Sequence, residues 1–265
     1  MSDRKELEAE FHNAREADRS LLSEEEFLKK YPNKRFYAIA EAVRDYEDAI
    51  LRSRAPGGRV LDYCCGPGET SLKLVELGYA SVNGIDISSE EVESARKRIR
   101  AAGCDDIASF DVMDAENMTF EDNTFDVIVC NGVLHHLDMD AALPELARVL
   151  KPDGVVVAME ALGYNPIINL YRKMTPNLRT AWEVDHILTL AELNKSRKYF
   201  EKVTVKYFYL ATLAAIPFAR TPLFRPIMWI TGAIDAILTR IPLVQLMAWQ
   251  MVFTLESPKS SSSRT

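Results

Sequence analysis

The chain has too few cysteines to be held together by them. Four occur in 265 residues, at positions 64, 65, 104 and 130, and no two have the C-x-x-C spacing of a structural zinc site, so neither a disulfide framework nor a metal centre is expected. Positive charge is also short. The formal net charge is -7, the opposite of a surface built to neutralise phosphates, and a nucleic-acid partner is not expected. Long apolar runs are missing as well. Lys206 and Arg220 bound one apolar stretch and Asp235 interrupts the next, so no uncharged run reaches the roughly 18 residues of a spanning helix. The N-terminus is charged from its third residue, which is not a signal-peptide pattern. These absences predict a reduced, cytoplasmic protein whose contact with a membrane, if it has any, is peripheral. Hydrophobic residues at 48% and charged residues at 27% give an ordinary globular balance, which excludes a disordered or collagen-like chain.

Residues 1–54 contain no glycine and only Pro32, with Leu7, Phe11, Leu21, Leu22, Phe27 and Leu28 at short helical spacings among charged residues. They predict a helical arm whose last helix covers 33–54 with Phe36, Ile39, Ala40 and Val43 on one face. Ala55-Pro56-Gly57-Gly58 punctuates the chain, and short apolar strands then alternate with helices. Strands are expected at 59–63, 81–85, 106–112, 125–130 and 155–159, with helices at 69–77, 88–100 and 141–150 between them. This alternation defines an α/β fold with a doubly wound, mostly parallel sheet, the Rossmann-like architecture. The expected organisation is an arm over 1–54, a core over 55–162, cap insertions and closing strands over 163–256, and a disordered tail over 257–265. Within the third part, 164–187 reads as a covering segment, 190–199 as helical, and 202–210 and 248–255 as strands.

The most informative segment runs from a strand through Cys64-Cys65-Gly66-Pro67-Gly68 into a helix. Glycines at the carboxyl end of a parallel strand let a ligand approach the backbone. Asp86, about 20 residues on at the end of the second strand, stands where an acid accepts hydrogen bonds from ribose hydroxyls. A dinucleotide fits less well. Ser71 occupies the position of the third small residue, and Glu69 puts a carboxylate at the helix start where a pyrophosphate would lie. S-adenosylmethionine has the ribose and adenine but carries positive charge and no phosphate, so this pattern favours it over a nicotinamide cofactor.

Val60-Leu61-Asp62-Tyr63-Cys64-Cys65-Gly66-Pro67-Gly68 resembles the first motif of class I S-adenosylmethionine-dependent methyltransferases. The resemblance continues through Asp86, Asp114-Ala115-Glu116, Asn131–Leu137 and Arg148-Val149-Leu150-Lys151-Pro152-Asp153-Gly154. It covers 58–160 and is nearest to the small-molecule, ubiquinone/menaquinone-type branch, which implies a seven-stranded sheet. Tyr63-Cys64-Cys65 departs from a commoner Leu-Gly-Cys-like run, and Met113 stands where glycine often precedes the acid. The resemblance implies a cofactor-binding set of Asp62, Gly66, Gly68, Asp86, Ile87, Asp114, Ala115 and Asn131. In it Asp62 and Gly66 hold the methionine end, Asp86 the ribose, Asp114 and the Ala115 amide the adenine, and Asn131 the methionine portion. Asp62 reads the same way on physical grounds, because a carboxylate on an apolar strand needs a donor such as an ammonium.

Methyl transfer from a sulfonium is an in-line displacement, so the protein must position the nucleophile, exclude water and, for oxygen or carbon acceptors, supply a base. His135 and His136, just beyond the fourth strand, and Glu160, ending the fifth, are the candidates. The expected activity is O- or C-methylation of a small lipophilic acceptor; a cofactor-binding protein without turnover is the alternative. Tyr31, Arg35 and Tyr37 of the arm are placed over the bound cofactor. Residues 164–187, with Arg172, Arg179 and Trp182, are expected to wall the acceptor pocket.

Residues 207–241 are apolar on most helical faces, with Ile227, Ile230, Ile234, Ile237 and Ile241 in one stripe and Thr231, Asp235 and Thr239 as a narrow polar edge. The core, a homodimer partner, a greasy substrate or a membrane surface would have to cover them. The resemblance places this segment as an insertion between the last two strands, near the acceptor pocket, with Arg220, Arg225 and Arg240 flanking it.

Overall fold

The central strands are buried on both faces and the edge strands on one, which closes them into a seven-stranded sheet. In the computed structural model of the chain, which describes residues 3–180, 182–183 and 186–260, the arm comprises α1 (Asp3–Leu21), α2 (Glu24–Lys30), a 3-10 turn (Pro32–Ile39) and α3 (Glu41–Arg54). The core follows as β1 (Arg59–Tyr63), α4 (Glu69–Glu76), β2 (Ser81–Asp86), α5 (Ser89–Ala101), β3 (Ala108–Val112), β4 (Phe125–Asn131), α6 (Met139–Val149) and β5 (Leu150–Ala161). The remainder is α7 (Pro166–Met174), α8 (Leu190–Lys195), β6 (Phe200–Phe208), α9 (Phe224–Leu238) and β7 (Gln250–Pro258). The strand order is β3-β2-β1-β4-β5-β7-β6, with β7 antiparallel to both of its neighbours and the other pairs parallel.

Alternation along the strands sorts the core into two layers. Val60, Val82, Val127 and Val157 face one side, where Val43 and Leu51 of α3, Leu74 of α4 and Val92 of α5 cover them. Leu61, Ile128, Cys130 and Val156 face the other, against Leu143 and Leu146 of α6 and Leu193 of α8. The strand order reverses between β1 and β4, so the crevice outside their carboxyl ends is the place for a ligand.

Several boundaries differ from expectation. The last arm helix starts at Glu41 instead of 33, because Pro32 opens a tighter 3-10 turn that closes with Ala40 N–H donating to the Tyr37 carbonyl at 3.1 Å. That turn sets Phe36 and Tyr37 against Trp249, with ring centroids 5.6 and 6.1 Å away. β5 begins at Leu150, and Lys151-Pro152-Asp153-Gly154 is a bulge within it, the register against β4 shifting between Phe125 and Val127. β7 extends through Ser257 and Pro258, so the tail placed at 257–265 begins later; 261–265 lie outside the described residues.

Residues 209–249 form an insertion between β6 and β7, closed at its neck where Trp249 N–H donates to the Tyr209 carbonyl at 2.9 Å. Asp235 of α9 is buried, and its carboxylate accepts the backbone N–H groups of Leu210, Ala211 and Thr212 and the Thr212 hydroxyl. It anchors the helix to the neck. Among the described residues, no helix is long and apolar enough to cross a membrane. Asp235→Ala leaves these donors without their acceptor and is expected to cost about 3 kcal/mol. Chemical denaturation, with limited proteolysis reporting cleavage inside the insertion, checks this.

Candidate active site

A cavity of about 380 Å³ opens at the carboxyl ends of β1, β2, β4 and β5, with α1 across it. All the proposed cofactor-binding residues except Gly68 line it, as do His135 and His136. Gly68 sits behind the wall at φ +77°, where a Cβ would meet Ala95 at 2.8 Å, so it serves the packing of the loop on α5. Gly66 lines the cavity at φ +51°. Cys64 adopts φ +58°, a left-handed conformation that favours glycine, at the very position where the sequence departs from the common motif. Burial pushes the thiols of Cys64, Cys65 and Cys130 well up, so they are packing groups and not nucleophiles.

The cofactor end of the cavity is crowded with carboxylates. Asp62, at the end of β1, is only 3% exposed. Burial pushes its pKa up to about 7 despite a 2.5 Å hydrogen bond from the Ser71 hydroxyl, with the Asp86 charge adding to the rise. Asp86 accepts the Gly66 N–H at 3.0 Å and the Ser88 N–H at 2.9 Å, yet burial and the nearby Glu91 charge raise its pKa. Ile87 follows it along the wall. Asp114 accepts the Glu116 N–H at 2.9 Å and the Lys5 ammonium at 2.6 Å. The buried Ala115 next to it takes the Tyr63 hydroxyl on its carbonyl at 2.7 Å. Asn131, ending β4, has a buried Oδ1 with no hydrogen-bond partner among the described residues.

The candidate bases are held in place by carboxylates. Glu160 is 1% exposed, and its Oε1 accepts the N–H groups of Val133 and Leu134 at 2.8 and 2.7 Å. That aims Oε2 at His135 Nδ1, 2.7 Å away. Burial opposes a charged His135, but the Glu160 carboxylate outweighs it and carries the pKa above the ordinary imidazole value. His136 behaves oppositely. Burial and the neighbouring His135 lower its pKa, although Glu8 of α1 lies 3.1 Å from its Nδ1.

The opposite end of the cavity is aromatic, with Phe36, Tyr37, Ile168, Tyr171 and Trp249 in its wall. Gln250 Oε1 is buried there without a partner among the described residues. Of the covering segment, Arg172, Leu178, Arg179 and Glu183 also contribute, and Arg179 pairs with Glu183 at 3.2 Å. Trp182 instead stacks on His186 at 3.6 Å, beneath the Arg4 guanidinium. Tyr31 bonds Asp18 within the arm, and the side chain of Arg35 lies outside the described residues. Among the described residues, none of 207–241 lines the cavity, so the expectation that this insertion shapes the acceptor pocket is corrected. Leu213, Ile216, Phe224, Ile227 and Met228 of the insertion pack against the core instead.

Sequence reasoning passed over the face of α1. Arg4 pairs with Glu116, Lys5 with Asp114 and Glu116, Arg15 with Glu91 at 2.9 Å, and Arg19 with Glu69 at 2.8 Å. Lys5, Glu8, His12, Arg15 and Arg19 recur three or four residues apart and therefore share one face, a signal that was present in the sequence. The pairing also weakens the argument from Glu69, whose charge is compensated by Arg19 and by Arg98 at 3.7 Å. Discrimination against a phosphate-bearing cofactor rests better on Asp62 and Asn131, two acceptors without a cationic donor among the described residues.

Known proteins are similar to this chain in sequence and in fold. Residues 60–154 match a family model described as a methyltransferase domain. Over 99 residues the chain is 38% identical to the methyltransferase GfsG of Streptomyces halstedii, covering 37% of this chain and 36% of that protein. Over 109 residues it is 36% identical to the ubiquinone/menaquinone biosynthesis C-methyltransferase UbiE of Geotalea daltonii, covering 40% and 46%. Its matches thus span about a third to a half of the length of these curated relatives. Among solved structures, geranyl diphosphate methyltransferase aligns with a TM-score of 0.55 at 18% identity, covering 80% of this chain and 78% of that one. The [4+2]-cyclase SpnF aligns with a TM-score of 0.53 at 20% identity, covering 82% and 81%. These likenesses establish the fold, and SpnF is a [4+2]-cyclase, so the activity must be argued from the site.

The Asp62–Ser71 contact predicts a titration that needs no ligand. Carbon-detected NMR of the free protein should give Asp62 a midpoint near the value of about 7. Ser71→Ala removes a bond that favours the charged form, so the midpoint should rise by about one unit.

Proposed function

We propose that this protein transfers a methyl group from S-adenosylmethionine to the oxygen or carbon of a small, lipophilic acceptor. The observation that carries this reading is a single cavity with one end bearing acceptors without a cation among the described residues, Asp62 and Asn131, and the other end aromatic. An ammonium at the first end would turn Asp62 into a stable carboxylate and give the buried Asn131 Oδ1 its donor. Gly66 leaves the backbone open beside them, and Asp86 keeps lone pairs for a ribose. By the resemblance, Asp114 and the Ala115 amide would take the adenine. Bound in this cavity, S-adenosylmethionine supplies an electrophilic methyl on a sulfonium that leaves as a neutral thioether.

The chain's own task is to place and deprotonate the nucleophile. With Glu160 ionised, His135 donates through Nδ1, which leaves Nε2 as the proton acceptor in the cavity. Glu160 fixes that tautomer and stabilises the imidazolium once formed. His136, kept neutral and tied to Glu8, positions the arm over the site, and α1 excludes water. Phe36, Tyr171 and Trp249 favour an apolar acceptor body, with Gln250 available to orient one polar group. A lipophilic acceptor also suits the UbiE relative, a ubiquinone/menaquinone biosynthesis C-methyltransferase. The site assignment favours turnover over a binding-only role, because a His–Glu pair has no part in holding the cofactor.

Asp86→Ala should weaken cofactor affinity by about tenfold to a hundredfold, the worth of charge-assisted hydrogen bonds. Unchanged affinity by calorimetry would overturn the assignment. His135→Asn should lower turnover by at least about a hundredfold and leave cofactor affinity intact. Because the base must be neutral, turnover should rise with pH through a midpoint above the ordinary imidazole value, and this limb should vanish in His135→Asn. Methyl-labelled cofactor incubated with an extract of the source cells should place label in the organic phase. Label confined to the aqueous phase would refute the lipophilic acceptor.

A further inference from the structure

The insertion helix is built inside out. Its polar edge is spent on the protein: Asp235 is buried against the neck, and the Thr231 and Thr239 hydroxyls donate to the carbonyls of Ile227 and Asp235 in their own helix. Ile227 and Met228 pack against the core from the inner side. The outer side holds Trp229 at 78% exposure and Ile237 at 66%, with Ile230 and Ile234 between them and Leu223 and Leu243 beyond the two ends. A helix that faces water normally shows the reverse arrangement.

The charges around this face select its occupant. The protein is acidic overall, with a net charge of -7, yet residues 207–249 carry three arginines, Arg220, Arg225 and Arg240, and one carboxylate. That carboxylate is the buried Asp235, so the exposed charge of the segment is almost wholly positive. All three arginines are exposed, and Arg225 makes only a loose 3.7 Å pair with Glu41. A protruding tryptophan, a row of isoleucines and flanking arginines are the elements of a helix that lies in a lipid interface, with the rings and aliphatics among acyl chains and the guanidiniums at phosphates. The 15 residues of α9 make a rod of roughly 22 Å, long enough to lie along a surface and too short to span one.

A second exposed apolar row adjoins the insertion. Ile167, Leu170 and Met174 of α7 point outward, and Asn165 at the start of that helix donates to the Met247 carbonyl at 2.6 Å. The other face of α7, through Ile168 and Tyr171, lines the cavity.

We propose that α9, with its flanking arginines, docks this protein on the surface of an anionic lipid bilayer. The docking surface is separate from the cavity, so the claim stands or falls independently of the methyl-transfer reading. The test is co-sedimentation of the full chain with vesicles of phosphatidylcholine alone and of phosphatidylcholine with about a third phosphatidylglycerol. Three proteins are compared: the unaltered chain, Trp229→Asp/Ile237→Asp, and Arg220→Glu/Arg225→Glu/Arg240→Glu. The unaltered chain should sediment with the anionic vesicles and much less with the neutral ones. Each arginine reversed should cost at least about fivefold in partitioning, and the double aspartate variant should lose binding. Both variants change exposed positions, and an unchanged circular-dichroism spectrum and thermal midpoint check that they are folded. Equal partitioning to neutral vesicles would overturn the proposal, as would absence of binding. So would a self-associated species in sedimentation velocity that the double aspartate variant dissolves, since the face would then be an interface between two copies of the chain.

Discussion

Carboxylates concentrated at one edge of the sheet are the constraint around which much of this protein is arranged. Asp62, Asp86, Glu91, Asp114, Glu116 and Glu160 all stand at or beside the carboxyl ends of the parallel strands, most of them buried or nearly so. Like charges in a low-dielectric setting are costly, and each must be answered by a proton, a backbone donor or a cation. All three answers are used. Asp62 and Asp86 have raised pKa values, so the proton is held more readily. Glu160 takes two loop amides, and Asp86 takes the amides that shape the glycine loop. Glu91 and Glu116 are met by the arm, and their pKa values fall although burial opposes it, because His12 and Arg15 surround the first and Lys5 and Arg4 the second.

The position of α1 follows from this. The helix has little apolar surface to bury, and Leu7 and Leu21 point into solvent at 58% and 82% exposure. Its hold on the core is a row of cations meeting a row of anions across the cavity. An attachment made of partly exposed ion pairs is weak and sensitive to salt compared with one made of buried side chains. Helix α1 is therefore held differently from α3, whose Val43 and Leu51 are buried on the sheet, and it stands over the cavity. A cationic ligand inside would supply part of the positive charge that the arm now provides, so ligand and arm meet the same electrostatic demand.

What could be read in the sequence was whatever depends on neighbours along the chain. Strand period, the turn at Gly66 and the acid after β2 are local patterns, and they located the sheet and its functional edge. The contacts that complete the site are not local. Glu8 meets His136 across 128 positions and Thr180 across 172, and neither pair leaves a trace in either segment alone. Ser71 was noticed for its size and matters for its hydroxyl, which reaches the buried Asp62. Glu69 misled for a related reason, since a carboxylate's effect on a ligand depends on Arg19 and Arg98, which only the fold brings to it. The apolar stripe of 227–241 was visible, but a periodic pattern defines a face without saying which way it points. Asp235, read as part of a narrow polar edge, turns inward to hold the neck.

That inversion separates two tasks that the sequence runs together. The cavity wall is made by the arm, the strand ends and residues of α7 and the segment after it, with Trp249 at the neck and Gln250 at the start of β7, and residues 210–248 of the insertion take no part in it. The neck that closes the insertion also fixes Trp249, whose ring joins Phe36 and Tyr37 at the aromatic end. Substitutions on the outer face of α9 are thus free of the chemistry, while a change at the neck touches both. α7 is the second link, apolar on the outside and lining the cavity on the inside. Whatever the outer faces rest against, the shortest structural route from that surface to the acceptor end of the cavity runs through the thickness of this one helix.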